Sequence, residues 1–322
     1  MRRLAGWLMD DAPTGAGAYV MATGVVSVGL SLAGESLLAR IVLAAAAIGW
    51  VALAVSFVAR LVGDPAGWWE RASQLGALTA IAGTTVLGEA AETELGWRVV
   101  PVVLWAVAAL LWVVVAPRLA LRQRELPPHS QPGLVFLITV ATQGVSLLAA
   151  TLSGRWDAPL LAYVSLALWV AGILAYLLLE LSRFDHGRIT SGPGDQWVLG
   201  GAIAITVLAG AKLIEAAGIL GVLGGIADGL AVAETVIWVV SLAPLVLLAW
   251  SELAYPKPRY TAARWATCFP VGMYAASTFA AAASLHNSWM DRYFADWWVW
   301  VGLVVWALAL LGLARRIARL SA

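Results

Sequence analysis

The chain has 322 residues, of which 61% are hydrophobic and 12% charged, with a formal net charge of +1 and a mean hydropathy of +0.85. Soluble domains are apolar in only ~45–50% of their residues, so this composition excludes a soluble globular protein and predicts a polytopic membrane protein. A single cysteine, Cys268, excludes disulfides within the chain and cysteine-based metal sites.

A helix that crosses the ~30 Å hydrocarbon core needs about 20 residues. In chain order, the runs that meet this are 15–34, 39–61, 72–89, 98–120, 132–152, 158–180, 195–217, 228–251, 261–285 and 293–314, ten predicted spans. The preceding stretch MRRLAGWLMDD has a basic start, but Asp10 and Asp11 break its apolar run short of a signal-peptide core, and it reads as a cytoplasmic cap. The connecting segments are short and hold the clustered charges and many of the prolines, as in RQRELPPHSQP, SRFDHGRITSGPGD and SELAYPKPRY. Residues 1–322 are therefore expected to form one transmembrane domain. Assigning alternate connections to opposite sides puts 15 Lys and Arg on the side of the N-terminus and 5 on the other. Basic residues are retained in the cytoplasm, so both termini are predicted to be cytoplasmic.

The ten spans are of two kinds. Odd-numbered spans hold 20 Ser, Thr, Asn and Gln residues against 5 in the even ones, and 14 Gly against 5, whereas Trp is divided 2 against 10. Each even span has a Trp near its middle, at Trp50, Trp105, Trp169, Trp238 and Trp306. Small and hydroxyl residues let helices pack closely or line a wet cavity, while Trp, Leu and Val face lipid or fill wide gaps. Odd helices are thus predicted inside and even helices outside, as a two-helix unit repeated five times at about 64 residues. A local echo between MATGVVSVGL in the first span and VATQGVSLLA in the fifth supports the repeat.

Hydroxyl and amide side chains fall in stripes along the inner helices: Thr23, Ser27 and Ser31 on the first, and Thr139, Thr142, Gln143 and Ser146 on the fifth. With Thr84 and Ser277 they are expected to line a path down the ring. No Asp, Glu, Lys or Arg lies in the central part of an odd span; Glu35 and Glu89 are at ends, and Lys212 and Glu215, three apart, can pair. If it is not neutralised in that way, Lys212 adds positive potential at the mouth. A proton-coupled carrier usually keeps an ionisable group at depth. Its absence from the odd spans points to passive conduction, with hydroxyls replacing part of an anion's hydration. His129, His186 and His286 read as solvated loop residues. There is no nucleotide-binding loop, no paired catalytic carboxylates and no Ser/His/Asp grouping, so the chain is not expected to be an enzyme. No catalytic residues, metal, cofactor or nucleic-acid partner are expected.

Three segments, YVMATGVVSVGL in the first span, DQWVLGGAIAITVLAGAKL in the seventh and RWATCFPVGMYAASTF in the ninth, together resemble the tellurite-resistance/dicarboxylate transporter family. That family is TehA-like and includes malic acid and sulfite permeases and the slow-type anion channel of plant guard cells. The resemblance implies an all-α integral membrane protein: ten helices as five hairpins around a central pore, pseudo-five-fold, often a homotrimer in the cell membrane. It also implies a ninth-helix phenylalanine that occludes the pore, which by motif is Phe269. Pro270 withholds one backbone hydrogen bond and bends the helix, Gly272 leaves room, and Phe269 is about eight residues into its span, ~12 Å deep at 1.5 Å per residue. The function implied is an anion channel or channel-like uniporter for small inorganic or organic anions. The permease members imply instead a carrier or exporter of C4-dicarboxylate, sulfite or tellurite-type oxo-anions. No motif speaks for a membrane enzyme or scaffold. The chain lacks the long cytoplasmic tails of the plant channel, so kinase control is not expected.

Overall fold

In the computed structural model, which describes residues 15–257 and 259–321, ten helices of 16 residues or more follow one another. They are α1 (Gly17–Leu32), α2 (Ser36–Gly63), α3 (Leu78–Leu95), α4 (Val99–Arg124), α5 (Leu137–Arg155), α6 (Pro159–Ala175), α7 (Val198–Leu220), α8 (Ala227–Ala254), α9 (Arg264–Ser284) and α10 (Asp296–Ser321). A π-helical turn, Tyr176–Glu180, extends α6, and another, Asp291–Ala295, leads into α10. The described residues contain no strand beyond one isolated bridge between Gln131 and Phe184. Arg2, Arg3 and the N-terminal stretch read as a cap lie outside the described residues.

Local sequence sets where helices begin and end. Asp64 accepts the Gly67 N–H at 3.0 Å and caps the short helix Pro65–Ala72, whose proline stands in the first turn where its missing donor is not needed. Gly96 and Gly221 end α3 and α7 at φ of 60° and 63°, a left-handed conformation that glycine adopts without penalty. Glu180 accepts the Thr139 N–H at 2.8 Å, so a carboxyl group satisfies an orphan donor in the first turn of α5.

The two kinds of helix separate in space as expected. In their most apolar windows, the segments carrying α5 and α7 are 94% and 89% buried, against 22–28% for those carrying α2, α4, α6, α8 and α10. The inner helices touch in cyclic order: α1 packs on α3, α3 on α5, α5 on α7, α7 on α9, and α9 returns to α1. Each even helix lies against the inner helix before it and the inner helix after it; α10 packs on α9 and α1.

Seven helices, the five peripheral ones together with α5 and α7, are long and apolar enough to cross a membrane by length and composition alone. The protein is accordingly a multi-pass membrane protein. The other three predicted spans correspond to α1, α3 and α9. They are short or rich in polar residues because their side chains meet protein rather than lipid, as the nearly continuous burial of α9 from Trp265 to Ala282 shows. Replacing Ala204, fully buried on α7, by Leu is predicted to lower unfolding free energy by about 1–3 kcal/mol through overpacking. Replacing Leu178, 74% exposed on the periphery, by Ala is predicted to change it by less than about 0.5 kcal/mol. Unfolding in mixed micelles checks both.

Candidate functional site

The polar stripes of the inner helices are bonded to the peripheral shell. Five indole N–H groups, one from each even helix, donate to the next inner helix: Trp50 to Thr84 Oγ1 (2.8 Å), Trp112 to Thr142 Oγ1 (2.9 Å), Trp169 to the Thr206 carbonyl (2.9 Å), Trp238 to Thr278 Oγ1 (3.1 Å) and Trp306 to Thr23 Oγ1 (3.0 Å). Thr84, Thr142 and Thr278 at the same time donate to the carbonyl four residues back, at 2.7–2.8 Å. A hydroxyl has one proton and two lone pairs, so the intrahelical donation leaves it able to accept the indole. The last of these latches joins residues 283 positions apart and fastens the end of the chain to its beginning.

The remaining stripe residues follow the same direction. Ser27 donates to the Ala39 carbonyl of α2, Thr139 to Gly172, Gln143 to Trp169 and Ser146 to Ser165 of α6, at 2.8–3.0 Å. Ser277 bonds its own helix at the Tyr274 carbonyl, and Ser31 is half-buried at the end of α1. Thr23, Ser27, Thr84, Thr139, Thr142, Gln143 and Ser146 thus bond to the peripheral helices, because a buried hydroxyl or indole needs a partner and the bilayer offers none. Of the two roles expected for tryptophan, facing lipid or filling gaps, the mid-span ones take the second. Trp169, Trp238 and Trp306 are 4%, 5% and 9% exposed, pointing inward from the helices that face lipid.

Phe269 is fully buried in the second turn of α9, since the helix starts at Arg264 rather than at residue 261. Its ring lies over Gly201 of α7, where a Cβ would stand 2.8 Å from Phe269 Cε1 and 2.7 Å from Pro270 Cγ. The absence of a side chain at Gly201 is therefore what seats the Phe-Pro pair, a role the sequence did not single out. Gly272 faces the other way, toward Val25 and Val26 of α1, and Gly302 of α10 comes within reach of its Cα. Cys268, next to Phe269, is buried with Sγ 3.6 Å from the Val305 carbonyl of α10. Arg264 fixes the start of α9 by pairing with Glu252 at 2.6 Å and by donating to the Lys257 carbonyl.

Among the inner helices, charge lies in the C-terminal halves of α3 and α7 and at the ends of α5 and α9, and Glu89, well inside α3, is fully buried. Lys212 pairs with Glu215 at 2.9 Å and interacts with Glu89, which accepts from Thr151 at 2.7 Å. On the same side Arg40 pairs with Glu94 and Arg155 with Glu92, at 2.8 and 3.6 Å. Lys212 therefore does not stand as an isolated positive charge. Two carboxyl groups of even helices went unremarked in the sequence: Glu180, fully buried with Oε2 unpartnered, and Glu234, fully buried with neither oxygen bonded among the described residues. Glu234 lies against Gly210 of α7, near the Trp169 indole nitrogen. An acidic residue inside an apolar even span was the available signal. His129 and His186 are surface loop residues, as expected, but their rings meet at 4.9 Å.

A closed ring of small-residue helices inside a Trp-rich shell defines a helical membrane protein of channel or transporter type. The family model for the voltage-dependent anion channel (SLAC1) matches residues 12–314, and the chain belongs to that family. The resemblance drawn from the three sequence segments is borne out by this match. Two uncharacterized membrane proteins of Mycobacterium tuberculosis, MT1776 from strain CDC 1551 / Oshkosh and Rv1735c from strain H37Rv, are each 32% identical to the chain over 129 residues. The match covers 38% of this chain and 64%, just under two thirds, of each relative.

The seating of Phe269 has a direct consequence. Gly201→Ala is predicted to cost about 1–3 kcal/mol of stability by overpacking against the ring and Pro270. In a Phe269→Ala background the same change should cost less, with only the contact to Pro270 remaining. Equal costs in both backgrounds, measured by unfolding in micelles, would show that the ring does not occupy the notch.

Proposed function

We propose that the protein is an anion channel or channel-like uniporter whose path runs along the axis of the inner helices, closed at rest by Phe269. The observation that carries this reading is a fully buried aromatic ring seated by Gly201 on the ring of inner helices, in a chain of the voltage-dependent anion channel family. On this reading all ten helices cross the membrane, forming five hairpins in pseudo-five-fold order, as the cyclic packing of the inner helices suggests. Pro270 and Gly272 position the gate, and the hydroxyl stripes hold the wall in place. Both termini are cytoplasmic, in one transmembrane domain of the cell membrane. The homotrimer is proposed on the family resemblance alone.

Truncating Phe269 to Ala should raise chloride or nitrate flux into liposomes about tenfold or more, a barrier drop of ~1.4 kcal/mol or more. Equal flux from equally well-folded wild type and variant would end the gate assignment.

A buried carboxyl group supports a second reading, a carrier of C4-dicarboxylate, sulfite or tellurite-type oxo-anions. Ionisable groups at membrane depth mark proton pathways in transporters, and Glu234, buried inside the even helix α8, is such a group. A carrier of this kind predicts substrate uptake that follows an imposed proton gradient and loses that dependence in Glu234→Gln. Uptake indifferent to the gradient favours the channel.

A further inference from the structure

The connection between α4 and α5 and the connection between α6 and α7 are clipped together by backbone hydrogen bonds. His129 N–H donates to the Ser182 carbonyl at 3.1 Å, Gln131 N–H to the Arg183 carbonyl at 2.9 Å and Asp185 N–H to the Gln131 carbonyl at 2.9 Å. Arg183 adds to the clip by donating its guanidinium to the Leu126 and Arg124 carbonyls. The clip brings two of the three histidines of the chain together, His129 from the first connection and His186 from the second, with ring centroids 4.9 Å apart and planes inclined by 55°. Both residues are exposed to solvent.

The surroundings decide which nitrogens the rings present. His129 Nδ1 lies 3.2 Å from the Phe184 carbonyl oxygen. A carbonyl only accepts, so the neutral ring carries its proton on Nδ1 and keeps its lone pair on Nε2. Metal-binding imidazoles are oriented in this way, through a carbonyl on the nitrogen that does not bind the metal. His186 meets Phe184 edge-to-face at 5.5 Å, and Phe184 is itself fully buried against Phe136. Two imidazole nitrogens held ~2.0–2.1 Å from one metal ion, at an angle between square-planar and tetrahedral, put the ring centroids ~4.5–5.2 Å apart. The observed 4.9 Å is within that range. Among the described residues no group of three or more His, Cys, Asp and Glu gathers around a common point, so water completes the coordination, as in an open, exchangeable site rather than a closed structural one.

We propose that His129 and His186 together bind one late first-row divalent metal ion, Cu²⁺ most tightly, with Ni²⁺ and Zn²⁺ behind it. Imidazole suits these ions, whereas Mg²⁺ and Ca²⁺ prefer carboxylate, carbonyl and water oxygens. A bound ion fastens the two connections that flank the α5–α6 pair, adding a side-chain link to the backbone clip. The assignment of this end of the bundle to the cytoplasm rests on the topology proposed above; the site itself does not.

Electron paramagnetic resonance of Cu²⁺ added to the full chain in detergent micelles, freed of any polyhistidine tag, tests the site. The wild type is predicted to hold one Cu²⁺ per chain, with the spectrum of two nitrogen ligands and no displacement by excess Mg²⁺. His186→Ala and His129→Asn should each weaken binding at least about tenfold and remove the two-nitrogen signal. Combining them should add little, since either loss already dismantles a two-ligand site. Asn is the choice at 129 because φ there is 54°, a left-handed conformation that Asn tolerates. His286→Ala, in the connection between α9 and α10, should change nothing. A one-nitrogen spectrum in the wild type, or Cu²⁺ held equally by the wild type and both variants, overturns the proposal, as does loss of the signal in His286→Ala.

Discussion

Lipid tails are as apolar as leucine, so the hydrophobic effect does not hold helices together inside a bilayer. What joins the two shells of this protein is a hydrogen bond repeated around the bundle, from an indole N–H of each even helix to an oxygen on the next inner helix. Breaking such a bond leaves a buried donor and acceptor with no water to turn to, a cost of about 1–3 kcal/mol for each unsatisfied group. Threonine suits the receiving position because it satisfies its own helix and the neighbour with one oxygen. At the third latch, between α6 and α7, a backbone carbonyl takes the place of the hydroxyl, and there Glu234 lies close by.

The latches pull the polar atoms of the inner helices outward. Phe269 packs against the bare backbone of Gly201, and on the proposed reading it is the large ring that closes the axis. In a proposed path of this kind the charges of the inner helices are largely neutralised in pairs such as Lys212 with Glu215. A dry ring is a barrier that a small displacement can remove, which is the physical content of the gate assignment.

Much of the architecture was legible in the sequence because a bilayer sorts residues harshly. The contrast of Trp-rich and hydroxyl-rich spans gave the division into inner and peripheral helices, and the burial of α5 and α7 agrees with it. The direction of the hydroxyls was not legible. Thr142 at helical spacing from Ser146 marks a stripe, but whether a stripe faces an axis or a tryptophan depends on the rotation of the helix, which periodicity leaves open. Gly201 was likewise invisible, since a glycine's value there depends on Phe269, 68 positions away. Glu180 and Glu234 could have been found by asking why an apolar, lipid-facing span carries an acid at all.

The central claim, that indole-to-hydroxyl latches close the bundle, is tested most directly by a double-mutant cycle on Trp306 and Thr23, which join α10 to α1. Unfolding free energies of Trp306→Phe, Thr23→Val and the double variant in the same mixed micelles yield the coupling between the two side chains. The latch predicts a favourable coupling of about 0.5–1.5 kcal/mol, the net worth of one buried hydrogen bond. Strictly additive effects, with coupling indistinguishable from zero, would contradict it.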